Sequence, residues 1–104
     1  MLSGHARQLR AAQHEATGEM STAIMEAQLR EALTSDPDLA GRGWRGTPRQ
    51  PGGVAVERAG TIAGLWRWRA GVFELSIGGS GAIVTFETVA EAVRHTRENL
   101  CPPP

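Results

Sequence analysis

A chain of 104 residues with zero formal net charge can build one small domain with a modest core, and its charge balance argues against indiscriminate coating of nucleic acid. Its single cysteine, Cys101, excludes an internal disulfide and a cysteine-based zinc site. No run is long and apolar enough to cross a membrane, and the N-terminus lacks a signal-peptide pattern, so a small cytoplasmic protein of bacterial type is expected.

The charge is unevenly spread, and lysine is absent. Residues 1–40 carry three arginines against six acids, a net of −3, whereas residues 41–104 carry eight arginines against five acids, a net of +3. Arg42, Arg45, Arg49, Arg58, Arg67 and Arg69 fall together in the second part, and the stretch that holds them, up to residue 76, opposes them only with Glu57 and Glu74. Arginine presents a planar fork that binds phosphate or carboxylate through paired hydrogen bonds, so this cluster suggests an anion-facing surface. A solvated face rich in arginine is the plainer alternative.

In chain order, residues 5–34 read as helix, being rich in Ala, Glu, Gln, Arg and Leu. Gly18 interrupts the run, leaving open two helices or one bent helix. Leu9, Ala12 and Ala16 mark one stripe, loosely continued by Met20, Ile24 and Ala27; Met25, Leu29, Ala32 and Leu33 mark a second. The stripe is thin, and it suits packing on the chain's own sheet or on a second copy. Asp36-Pro37-Asp38-Leu39 reads as a cap, a proline at the first helical position and one short turn.

Residues 41–53 hold five glycines together with Pro48 and Pro51, and read as a linker or surface loop. Trp44 lies within it between Arg42 and Arg45. A tryptophan in such a loop either plugs a groove on its own domain or offers a partner an aromatic contact. Val54-Ala55-Val56-Glu57 adds a strand.

Residues 61–69 and 72–77 then form a hairpin about Ala70-Gly71, where a two-residue turn needs positive φ. That register sets Arg69 opposite Val72, Trp68 opposite Phe73, Arg67 opposite Glu74 and Trp66 opposite Leu75. One face carries Trp66, Trp68, Phe73, Leu75 and Ile77 and is the expected core. The other carries Leu65, Arg67, Arg69, Val72, Glu74 and Ser76.

A glycine-rich connection, Ile77 to Ala82, leads to a strand at Ile83–Phe86. It lacks the lysine of a phosphate-binding loop. Thr88-Val89-Ala90-Glu91 fits a capping box that opens a helix reaching residue 100, with Val89, Ala92, Val93, Thr96 and Leu100 on its apolar stripe. The prolines at 102–104 end it. The fold class is therefore α+β: an N-terminal helical arm over 1–40, the loop 41–53, and a three- to four-stranded antiparallel meander with a C-terminal helix over 54–104. The expected core is Trp66, Trp68, Phe73, Leu75, Ile77, Phe86, Val89, Val93 and Leu100.

No constellation for catalysis stands out, and no cofactor is expected. His5 and His14 do not share a tight helical face. Glu91, His95 and Glu98 share one, but Glu91 is committed to the cap, so no metal site is assigned. Cys101, next to three prolines, is a poor place to hold a nucleophile rigidly. The chain reads as a non-enzyme.

Residues Gly64 to Ile77, followed by Thr85-Phe86-Glu87-Thr88-Val89-Ala90-Glu91-Ala92-Val93-Arg94, resemble the AP2/integrase N-terminal type of DNA-binding domain. Phe73, Ile77 and Thr85 to Ala92 occupy the places of that family's pattern; Gly78 stands where the family has a basic residue. The resemblance implies an antiparallel sheet packed on one helix, with Arg67 and Arg69 on an exposed face that meets DNA.

Two functional expectations follow. In the first, a small nucleic-acid-binding or regulatory protein uses Arg67 and Arg69, with Arg42, Arg45, Arg49 and Trp44 as further contacts. In the second, the chain is a protein-binding module or a mobile-element inhibitor of a host protein, self-associating through residues 5–34.

Overall fold

The computed structural model describes residues 18–78, 81 and 84–101. The expectations for residues 1–17, for Ile83 and for the terminal prolines lie outside these. A first helix, α1 (Gly18–Ser35), is followed by a short helix α2 (Pro37–Gly41) and strands β1 (Arg45–Pro48), β2 (Val54–Arg58), β3 (Thr61–Arg69), β4 (Val72–Ser76) and β5 (Val84–Phe86). The last helix, α3 (Val89–His95), runs on into one wider π-helical turn, Thr96–Leu100. The five strands form one antiparallel meander in sequential order.

The α+β layout is as expected, with five strands rather than three or four. The added strand is β1, which runs through the stretch read as a loop. Its glycine is a packing device. A Cβ on Gly46 would sit 2.8 Å from the Arg30 carbonyl oxygen, so only glycine lets α1 lie this close against the strand. Thr34 completes the join: its hydroxyl accepts from the Gly46 amide at 3.1 Å and donates to the Gly46 carbonyl at 3.3 Å. The edge of β1 is thereby satisfied by a helix, and a sequence with few strand-forming residues holds a strand.

The central hairpin has the expected register, with Trp66 opposite Leu75, Arg67 opposite Glu74 and Trp68 opposite Phe73. Ala70 and Gly71 both have positive φ, 53° and 82°. Ala59 and Gly60 repeat this at the turn between β2 and β3, with 49° and 82°. Both turns match the right-handed twist of the flanking strands.

One face of the sheet is covered. Val54, Val56, Trp66, Phe73 and Leu75 are buried there with Leu29 and Leu33 of α1, Leu39 of α2 and Ala92 and Val93 of α3 in a single core. Residues 18–40 are therefore part of the same packed unit as the sheet. Along α1 the buried stripe is the second of the two read from the sequence: Leu29 and Leu33 are fully enclosed, Met25 and Ala32 pack beside them, and Ile24 is 51% exposed.

The expected core is corrected at its margin. Ile77 is 40% exposed, because β4 ends at Ser76; Leu100 instead packs over Gly64, where an added Cβ would stand 3.2 Å from a Leu100 methyl. Trp68, Phe86, Val89 and Leu100 are partly buried against the core rather than enclosed in it. The helix cap also differs in detail. The Glu91 amide donates to the Thr88 hydroxyl at 3.1 Å, but the Thr88 hydroxyl donates to the Glu91 carboxylate at 2.9 Å, in place of the expected reach to the backbone.

At the centre of the core, the Trp66 indole N–H donates to the Thr96 hydroxyl at 3.0 Å, and that hydroxyl donates to the Ala92 carbonyl at 2.8 Å. The hydroxyl bonds back one turn where the helix widens. Among the described residues, no buried side-chain polar atom lacks a partner.

Candidate nucleic-acid interface

Among the described residues, the other face of the sheet carries no helix. Alternation places Arg45, Thr47, Ala55, Glu57, Leu65, Arg67, Arg69, Val72, Glu74, Ser76 and Thr85 on it. A bulge between β2 and β3 shifts the register after Val56, so Glu57 pairs with Ile62 and Ile62 joins this face, 44% exposed. Arg49 continues the β1–β2 ladder, its amide donating to the Gly53 carbonyl at 3.1 Å. It shares a shallow hollow with Ile62, Leu65 and Ser76. Four arginines thus stand on the open face.

Their pairing differs. Arg45 reaches Glu57 at 3.8 Å, and Glu57 also accepts from the Thr47 hydroxyl at 3.1 Å. Arg69 reaches Glu74 at 3.6 Å, diagonally across the hairpin. The side chains of Arg45 and Arg69 are 64% and 67% exposed, so these ion pairs are screened by water and each is worth about 0–1 kcal/mol. A phosphate replaces such a carboxylate at little cost. Arg67 faces Glu74 in register yet makes no ion pair among the described residues, and neither does Arg49. The stem of Arg67 lies over the Gly53 backbone, where a Cβ would meet it at 3.3 Å.

The remaining two expected contacts serve the fold. Arg42 donates to the Cys101 carbonyl at 2.6 Å and to the Arg97 carbonyl at 3.4 Å, closing the C-terminal end of the last helix. This is a favourable place for a cation, because the helix carbonyls carry partial negative charge. Arg97 in turn binds Asp36 at 2.9 Å and approaches Asp38 at 3.8 Å, tying that helix to α2. Trp44 is 8% exposed, with the Arg58 guanidinium 4.7 Å from its ring. It plugs its own domain. The plugging role of Trp44 is one of the two read from the sequence; the contacts of Arg42 and Asp36 with residues 97 and 101 have no local signal. Arg58, named only as part of the basic cluster, acts as the lid over Trp44.

At one end of the open face, β3 outruns β2. Val54 pairs with Trp66, so residues 67–69 have β4 on one side and a cleft of about 510 Å³ on the other. Thr22, Ala23 and Glu26 form its α1 wall; Arg67, Trp68 and Arg69 form the strand wall. The Glu26 carboxylate accepts from the Trp68 amide at 3.0 Å and from the Gly53 amide at 2.8 Å, satisfying the strand edge that β2 leaves bare.

Burial pushes the Cys101 thiol up to about 11, against a smaller opposing pull from Arg42 and Arg58. A thiol held neutral and enclosed is a packing group. His95 packs on Phe86 at 5.1 Å between ring centres and edge-on to Trp66 at 6.3 Å. No group of three or more metal-binding side chains exists among the described residues, and none of their helices is long and apolar enough to cross a membrane.

Comparison of the chain with protein-family models, curated proteins and solved structures finds no match.

Proposed function

We propose that this chain is a small, non-enzymatic nucleic-acid-binding protein that uses the uncovered face of its sheet. The observation that carries the reading is the placement of Arg45, Arg49, Arg67 and Arg69 on that one face, against only Glu57 and Glu74. Among the described residues, two of these arginines have no ion pair to break, and two hold weak, exposed ones. The face is broad, and guanidinium forks match phosphate oxygens in geometry as well as charge. The resemblance of residues 64–94 to AP2-type domains implies the same face and the same Arg67 and Arg69. With zero net charge, affinity comes from this local cluster, and the rest of the surface contributes no general attraction.

The test is a titration of labelled random-sequence duplex and RNA followed by fluorescence anisotropy, at rising salt. Binding should weaken steeply with salt, since each phosphate contact releases counterion. Replacing Arg67 and Arg69 together by Ala should lower the log–log salt slope by about two, one for each arginine removed. Absence of binding at low salt would remove the proposal.

A second reading, a protein-binding module that self-associates through the first helix, is favoured by Ile24. It stands 51% exposed on the α1 side turned away from the core. Light scattering decides it: a dimer that Ile24→Glu dissolves supports it, and a strict monomer defeats it.

A further inference from the structure

We propose that the cleft between α1 and the free end of β3 receives an unpaired nucleotide of the bound strand, so that the chain prefers nucleic acid with a single-stranded end over fully paired duplex. The inference rests on the reading that the open face binds nucleic acid, and it names the kind of nucleic acid.

Continuity comes first. Arg67 and Arg69 belong both to the open face and to the cleft wall, so a strand lying on the face enters the cleft without leaving its phosphate contacts. The volume, about 510 Å³, lies within the roughly 300–1,000 Å³ of sites that hold small molecules.

The two walls then divide the ligand's chemistry. Trp68 is half-buried, and its ring is set by an edge-to-face contact with Phe73 at 4.7 Å. An anchored indole with part of its surface on a cleft is a stacking platform for a base of any sequence. Ala23 opposite is small and exposed, leaving room for such a base. Glu26 keeps phosphate away from the α1 wall, while Arg67 and Arg69 attract it to the strand wall. The base therefore goes inward and the backbone outward.

The same carboxylate disfavours a peptide. An extended segment would have to add to β3 as a strand, pairing with its free edge. The Trp68 amide that such pairing needs is already held by Glu26 at 3.0 Å. What the cleft still offers is a ring face and two forks of positive charge, which suit a nucleotide.

The experiment uses the full chain and three labelled probes: a blunt duplex, the same duplex with a short unpaired overhang, and the single strand. Ala23→Met fills the cleft without adding charge and preserves helix propensity; circular dichroism and melting verify its fold. Expected are binding of the overhang at least about fivefold tighter than the blunt duplex, the lower end of what one stacked base contributes, and quenching of tryptophan fluorescence by the overhang and the single strand but not by the blunt duplex. Ala23→Met should bring that preference to near one and leave blunt-duplex affinity unchanged. Equal affinity for blunt and overhang probes, or a preference that survives Ala23→Met, overturns the inference while the nucleic-acid reading stands. If no probe binds at low salt, both fall. If a polyglutamate peptide displaces the overhang and loses this ability in Ala23→Met, the cleft belongs to an acidic protein segment and the inference is overturned.

Discussion

The two faces of this sheet come from the same strands, yet they answer to different physics. On the covered face, Trp66, Phe73, Leu75, Val54 and Val56 have no freedom: each is at most 1% exposed and packed against three helices. On the open face, arginines from β1, the following turn and β3 stand in water beside carboxylates that hold them loosely. Stability and the proposed binding thus fall on alternate residues of one strand. In β3 the sequence Trp66-Arg67-Trp68-Arg69 sends its tryptophans to the covered face and its arginines to the open one.

The comparison breaks most visibly at Phe73. Phe73→Ala should cost roughly 3–5 kcal/mol, the usual range for a buried aromatic, and so small a domain would be largely unfolded by it. Urea denaturation followed by far-UV circular dichroism measures this; an unchanged midpoint would mean that the two faces have been exchanged. Thr96→Val keeps the shape of the covered side but leaves the Trp66 indole N–H buried without its acceptor, at a cost of about 1–3 kcal/mol. The same melts, read by tryptophan fluorescence, give its value.

Cys101 sharpens the contrast through pH. Its thiol titrates at about 11 when folded and near 9.0 when free, so between these values the unfolded chain has lost a proton that the folded chain retains. Stability contributed by the buried neutral thiol is complete below pH 9 and is lost as pH rises through 11. Melting the protein across that window, beside Cys101→Ala, should show the wild type losing stability that the variant keeps. The smallest effect belongs to the open face. Arg67→Ala should change stability by no more than about 0.5 kcal/mol, as for surface positions generally, while its effect appears in the salt dependence of binding.

Much of this contrast is legible in the sequence. The Ala70-Gly71 turn and the alternation around it set the hairpin register and place Arg67 and Arg69 on the open side, because turn chemistry and period-two patterning are local. Met25, Leu29, Ala32 and Leu33 mark the buried stripe of α1 by helical spacing. The strand at Arg45–Pro48 is hidden, since its hydrogen bonds are completed by Thr34 of a helix and its Gly46 answers to Arg30. Arg42 reads as a surface contact because its partners, the carbonyls of Cys101 and Arg97, are distant along the chain, whereas the groove-plugging alternative for Trp44 is the one the fold adopts. Ile77 reads as core because it continues the alternation, which runs on one residue past the last strand pair.

Glu26 and Thr34 are eight residues apart on α1, a separation of about 12 Å along the helix axis. One satisfies the overhang of β3, and the other both polar groups of Gly46 in β1. In hydrogen-bonding terms α1 stands in for a sixth strand, supplying from side chains what a neighbouring backbone would supply. A bare β edge is a template for pairing with other chains. The helix therefore guards these edges as well as the core: a chain from which α1 has come away would present the overhang of β3 and the β1 edge to its neighbours.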